Sequence, residues 1–257
     1  MTSATERHEY NEGFFDYINA GSTASARRVC PLLVDWLTPK SLLDVGCGAG
    51  AWCRVWGESG VAEVVGADGD YVDRKRLLID QSAFVAKDLS QAFDLGRQFD
   101  LVTSLEVAEH VATSSSGKFV DNLARHGKRI LFSAAVPGQG GEFHVNEQPL
   151  EFWRALFSAK GYRCFDPLRP ILAGSGGRTV EPWYRYNTLF YAADEVVGDL
   201  PVAIRETEVQ AANAIAQRAP IPWRARNAVL RQLPPSAIDA LAKLKHTLSR
   251  RLRPYQG

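Results

Sequence analysis

The sequence predicts an α/β fold: a doubly wound, seven-stranded, mostly parallel sheet with flanking helices. Three observations carry this expectation. Apolar runs of strand length alternate with stretches of helix length, the pattern of a parallel sheet with crossover helices. Seven such runs lie between residues 41 and 193, the span of one domain. The first of them also leads directly into a glycine-rich turn and a helical stretch, "SLLDVGCGAGAWCRVWGESG".

Taken in order, residues 10–37 precede the sheet, and "SARRVCPLLVDWL" within them has helical spacing. The strand candidates are "SLLDVG" (41–46), "AEVVGAD" (62–68), "AFVAKD" (83–88), "FDLVTSL" (99–105), "RILFSAAV" (129–136), "YRCFDP" (162–167) and "NTLFYAA" (187–193). After Ala193 the chain reads as helices broken at "APIPW" and "LPP". The expected organisation is an N-terminal helical cap (1–40), a core (41–195) and a helical, basic C-terminal extension (196–257), with no internal repeat and no low-complexity tract.

Composition narrows the class. At 257 residues, 46% hydrophobic and 23% charged, the chain suits a globular enzyme. Its four cysteines form no CxxC pair, which argues against a disulfide scaffold and fits a reducing compartment. The start "MTSATERHEYNEGFF" lacks a basic-then-apolar leader pattern, and no apolar run reaches membrane-span length, so a cytoplasmic protein without a membrane span is expected. Net charge is uneven: residues 223–257 carry eight Lys or Arg against Asp239 alone, while the remainder holds 22 basic and 28 acidic residues. Such a tail reads either as a solvated helix face or as a contact for an anionic partner, and the acidic body speaks against nucleic acid.

Gly46, Gly48 and Gly50 in "DVGCGAG" let the backbone turn sharply and approach a ligand closely, and the following helix offers unpaired N–H groups. Asp44 lies just before this turn, and Asp68 ends the next strand, where an acid can accept hydrogen bonds from ribose hydroxyls. The bland alternative is that these acids cap helices or solubilise loops. An NAD reading fits less well, because the glycines follow GxGxG rather than GxGxxG.

From about Ser41 to Ala193 the sequence resembles the class I S-adenosylmethionine-dependent methyltransferases, which have a Rossmann-like fold. "LDVGCGAG" is similar to that family's first motif. The resemblance implies that Asp44 organises the site near the methionine amino group and that the Gly46–Gly50 turn passes under the cofactor. By the same match Asp68 in "VVGAD" meets the ribose diol, and Asp88 in "AKDL", with Leu89 beside it, lies near the adenine. Asp88 can equally cap the segment that follows it.

The segment "SLEVAEHV" (104–111) follows the fourth strand and should face the crevice at the carboxyl ends of the strands. In a helix, Glu106, Glu109 and His110 would share one face and offer two carboxylates and an imidazole to a divalent cation. His144, in the glycine-rich "PGQGGEFHVNEQ" after the fifth strand, can reach the same place from a neighbouring strand end, and Gly138, Gly140 and Gly141 suggest that this loop is mobile. Glu106, Glu109, His110 and His144 together resemble the ExxEH…H metal site of small-RNA 2′-O-methyltransferases, and the ExxEH part also resembles quinone-biosynthesis O-methyltransferases. The resemblance implies Mg2+ or Mn2+ at the accepting hydroxyl. "HVNEQ" is instead closer to loops of bacterial methyltransferases acting in surface-sugar and natural-product clusters.

The chemistry agrees with a cation. An aliphatic hydroxyl is a far weaker acid than a phenol, whose pKa is about 10, and coordination is one way to make it an oxyanion near neutral pH. Without a metal, Glu106 and the histidines are cleft residues, with His110 or His144 as general base. On the acceptor side, Phe152, Trp153 and Phe157 read as core, whereas Trp183, Tyr184 and Arg185 serve either packing or a polyhydroxylated acceptor. Arg178 either holds an anionic group or faces solvent.

The expected function is therefore S-adenosylmethionine-dependent O-methylation of a hydroxyl on a sugar or sugar-like small molecule, assisted by a divalent metal. The alternatives are metal-independent N- or C-methylation of a secondary metabolite and RNA 2′-O-methylation. Oligomeric state is left open, a homodimer included.

Overall fold

The computed structural model describes residues 12–174, 179–234 and 237. Its strands are β1 (Ser41–Val45), β2 (Glu63–Asp68), β3 (Phe84–Ala86), β4 (Leu101–Leu105), β5 (Arg129–Ser133), β6 (Tyr162–Phe165) and β7 (Leu189–Ala193). All seven expected strands are present, each shortened at one end and β3 at both. They pair in the order β3-β2-β1-β4-β5-β7-β6. Neighbours from β3 to β5 run parallel, and β7 is antiparallel to both β5 and β6. Strand order reverses between β1 and β4, and ligands of doubly wound sheets bind at the carboxyl ends of the strands at such a switch point.

Side chains alternate across a strand, and here both faces are covered. Leu42, Leu101, Leu131 and Phe190 point into one layer, packed by Ala26, Val29, Cys30 and Leu33 of helix α1 (Glu12–Leu37) and by Trp52, Val55 and Trp56 of α2 (Ala51–Glu58). Leu43, Val102, Ile130 and Tyr191 point into the other. That layer is filled by Phe119, Val120 and Leu123 of α3 (Ser116–His126) and by Trp153 and Phe157 of α4 (Leu150–Ser158). Trp153 and Phe157 are thus core, and Phe152 packs against them half-buried. Four short helices complete the described chain: α5 (Arg169–Ala173), α6 (Pro182–Asn187), α7 (Val202–Arg205) and α8 (Ile221–Leu230). No helix among the described residues is long and apolar enough to cross a membrane. Arg178 and most of the basic run beyond Pro234, including Lys243, Lys245, Arg250, Arg251 and Arg253, lie outside the described residues.

Candidate active site

The turn after β1 has the geometry its glycines allow. Gly46, Gly48 and Gly50 all take left-handed φ, at 85°, 55° and 85°, a region that costs other residues roughly 1–2 kcal/mol. A Cβ on Gly46 would lie 2.3 Å from Val107 Cγ2, so this glycine lets the turn pack directly on the segment after β4. At Gly48 a Cβ would meet nothing within 4 Å, so the turn keeps an open cradle at its crest.

Two carboxylates flank the cradle. Asp44 is 3% exposed and accepts a 2.6 Å hydrogen bond from Thr103 Oγ1, its register partner on β4, and a 3.5 Å bond from Cys53 Sγ. Burial pushes Asp44 up to about 6; the two hydrogen bonds oppose that rise and the charge of Asp68 adds to it. Asp68 accepts from the N–H groups of Gly48 (2.7 Å) and Gly69 (2.6 Å) and from the Tyr71 hydroxyl (2.6 Å). Tyr71, which no sequence motif marks, therefore belongs to this end of the site. Asp88 lies beside it, since Lys87 N–H donates to Asp68 O at 2.8 Å. Its own carboxylate is exposed and accepts from Ser90 N–H and Oγ, closing a local turn, while Leu89 is packed into the core.

The segment after β4 is not the α-helix that would align Glu106, Glu109 and His110. Glu106 takes φ 59°, which breaks any helix there, and a single 3-10 turn follows over Ala108–His110. Its N–H donates instead to Ser133 O on β5, at 2.9 Å. Glu106 is consequently set apart from Glu109 and His110. Glu109 turns inward with 1% exposure, and His110 keeps a face to solvent. The Glu106 carboxylate accepts from Gln139 Nε2 (2.7 Å) and Asn187 Nδ2 (3.5 Å).

His144 does arrive from the β5 side. One ligand atom each from Glu109, His110 and His144 lie within 4.8 Å of one another, and the two imidazole rings are 5.0 Å apart at 85°. Glu106 falls outside that group of three. Glu109 Oε2 is buried and has no hydrogen-bond partner, an orphaned oxygen suited to a cation. Burial raises both glutamates, and for Glu109 the charge of Glu106 adds to a large shift. The protein around His110, and then the charge of His144, hold it down to about 4, so its imidazole is neutral near pH 7.

The glycine-rich loop is tied down rather than loose. Val145 and Asn146 N–H both donate to Glu109 O, at 2.9 and 3.0 Å. Asn146, 2% exposed, donates through Nδ2 to Ser116 Oγ and Ala108 O and accepts at Oδ1 from Thr113 and Gln148. Glu147 accepts from Gly138 N–H, Gly140 N–H and His144 Nδ1. Those bonds hold Glu147 below its ordinary value against the opposing effect of burial. Gln139, Asn146 and Glu147 were not singled out from the sequence; the trace they left is that "GQGGEFHVNEQ" is polar at the end of a buried strand.

Comparison with known proteins decides the family. Residues 24–171 match the family described as a methyltransferase domain. The chain belongs to this methyltransferase family. A ubiquinone biosynthesis O-methyltransferase of Mesorhizobium japonicum is 38% identical over 80 residues, covering 28% of this chain and 30% of that protein. One from Cereibacter sphaeroides is 35% identical over 116 residues, covering 41% and 44%. The chain spans less than half the length of these curated relatives. Among solved structures, the sugar N-methyltransferase KedS8 of Streptoalloteichus superposes with a TM-score of 0.58 at 17% identity, over 75% of this chain and 97% of that one. DesVI of Streptomyces venezuelae gives 0.52 at 17% identity, over 72% and 99%. These likenesses show the fold.

The residues expected on the acceptor side are placed as follows. Tyr184 is buried, with its ring edge-on to Trp52 and its hydroxyl hydrogen-bonded to Ser22 Oγ at 3.0 Å. Burial pushes that phenol up to about 12, and its setting is one of packing. Trp183 is half-buried beside it. Arg185 donates to Val180 O at 2.6 Å. Asn187, the last residue of α6, bonds Gln139 Oε1 at 2.7 Å as well as Glu106. Helix α8 covers the loop from outside: Arg226 Nη1 donates to Gln139 O at 2.8 Å, and Trp223 meets the ring of Tyr186 at 6.2 Å.

Proposed function

We propose that this S-adenosylmethionine-dependent methyltransferase methylates a hydroxyl of a sugar or sugar-like small molecule in the cytoplasm, with Mg2+ or Mn2+ held by Glu109, His110 and His144 and with Glu106 alongside. The observation that carries the reading is the orphaned Glu109 Oε2 within a group whose donor atoms lie inside 4.8 Å. Carboxylate and imidazole donors together suit such a cation. When bound, a divalent cation lowers the pKa of a coordinated hydroxyl, and S-adenosylmethionine supplies the methyl on a sulfonium leaving group.

This chain's residues do the rest. Asp44 meets the methionine ammonium, the Gly46–Gly50 turn passes beneath the cofactor, and Asp68 takes the ribose hydroxyls, with Asp88 and Leu89 at the adenine. Glu106, held by Gln139 and Asn187, is a fixed polar group beside the proposed metal centre and helps position the acceptor. One solved structure that shares the fold is a sugar N-methyltransferase, and the residues around Glu106 are polar, both of which agree with a sugar-like small molecule. Four cysteines without disulfides agree with a reducing compartment.

Titration of Mn2+ followed by electron paramagnetic resonance tests the cation. Wild-type protein should bind one ion, and Glu109→Gln should weaken it by at least tenfold. Equal binding by the variant, or none by the wild type, removes the metal. A second reading then stands on His110 or His144 as general base in metal-independent N- or C-methylation. Full turnover in EDTA would select it.

A further inference from the structure

We propose that Glu147 is a positioning residue that holds His144 in the tautomer protonated at Nδ1 and so presents Nε2 as the reactive nitrogen. The inference rests on reading Glu109, His110 and His144 as the working centre. Its support is a hydrogen-bond pattern with a single solution. Glu147 Oε2 accepts from Gly138 N–H at 2.7 Å, and Oε1 accepts from Gly140 N–H at 2.7 Å while also lying 2.8 Å from His144 Nδ1. A carboxylate already taken up by two backbone donors has only acceptor capacity left, so the hydrogen between it and His144 belongs to the imidazole. In the neutral ring Nε2 then carries the lone pair, as a ligand or as a base.

The surroundings hold this arrangement in place. Gly138 and Gly140 take φ of 83° and 69°, which turns their N–H groups inward on the same carboxylate. A Cβ on Gly138 would lie 2.1 Å from Asn227 O of α8, and one on Gly141 would lie 2.1 Å from His144 Nε2, so backbone and ring are pressed together with no space for a side chain. From outside, Arg226 clamps the same loop at Gln139 O. An ordinary surface ion pair lacks these features: here the side chains of His144 and Glu147 are 12% and 17% exposed, and the carboxylate is anchored to backbone on both oxygens.

The test uses metal-free, 15N-labelled full-length protein and long-range 1H–15N correlation of the imidazoles, with His144 identified by loss of its signals in His144→Asn. Wild type should show His144 protonated at Nδ1 and bare at Nε2. Glu147→Gln should convert it to a mixture or to the opposite tautomer, and Glu147→Asp should restore it in part. Mn2+ affinity should fall about 10–100-fold in Glu147→Gln, the usual cost of losing such a partner. Protonation at Nε2 in the wild type, or an unchanged tautomer in Glu147→Gln, overturns the proposal. Wild-type protein that binds no Mn2+ yet shows the expected tautomer and its loss in Glu147→Gln ends the metal reading alone and leaves the role of Glu147 supported. Should the Gln variant fail to fold, the wild-type spectrum and Glu147→Asp still decide.

Discussion

Replacing Asp44 with Asn should stabilise the cofactor-free protein at alkaline pH while weakening its hold on S-adenosylmethionine. Asp44 is buried and raised to about 6 from an ordinary 3.8. The folded state thus binds this proton more tightly than the unfolded chain does. The associated stability is fully present below pH 3.8, declines between 3.8 and 6, and is gone above 6. Each unit is 1.36 kcal/mol, so the ionised carboxylate costs the native state about 3 kcal/mol at pH 8 and about 1 kcal/mol at pH 4.5. Asn keeps an oxygen to accept from Thr103 Oγ1 but cannot ionise. Whatever the fixed cost of imperfect hydrogen bonding, the difference in unfolding free energy between variant and wild type should move toward the variant by about 2 kcal/mol from pH 4.5 to pH 8. Urea unfolding at the two pH values measures this directly, because other titrations cancel in the comparison. Calorimetric titration should show affinity for S-adenosylmethionine falling by about tenfold or more in the variant, the usual scale for losing a hydrogen bond to a charged group. A pH-independent difference, or cofactor binding as tight as wild type, would refute the argument.

Gly46→Ala should unfold at a markedly lower urea concentration, since it combines left-handed strain with a methyl 2.3 Å from Val107, together about 3 kcal/mol. Gly48→Ala should cost only about 1 kcal/mol, because its methyl meets nothing, yet it should weaken cofactor binding by filling the cradle; calorimetry separates the two effects. Asn146→Ala strips four hydrogen bonds from a buried polar cluster and should lower stability by about 2–3 kcal/mol in urea titration. Arg226→Ala should change the urea midpoint little, since the side chain lies at the surface of α8, but should reduce turnover by releasing Gln139 from outside; unchanged turnover would mean that α8 only covers the loop.

Why some of this was legible beforehand follows from local rules. Strand runs and the glycine turn depend on period and on backbone φ, both written within a few residues. Asp44, Asp68 and the three glycines were found for that reason, and the structure brings them to one end of the sheet. The geometry of "EVAEH" was not legible, because a helix and a left-handed break at Glu106 satisfy the same side-chain pattern; a hydrogen bond to Ser133 on the next strand decides between them. Tyr184 similarly has the composition of a binding aromatic, yet contact with Ser22 and Trp52, far away in sequence, makes it part of the packing.

The sequence by itself determined the seven-stranded doubly wound sheet, the glycine turn after β1 and the set from which the proposed centre is drawn. Only the tertiary structure decided which of those residues meet. Glu109, His110 and His144 converge because β4 and β5 are paired in register, and Glu106 is drawn aside by Gln139 and Asn187. Glu147 and Arg226 meet the glycine-rich loop for the same reason. Their partners lie in loops and in a helix whose approach is set by packing between layers, and no periodicity along the chain encodes such a contact.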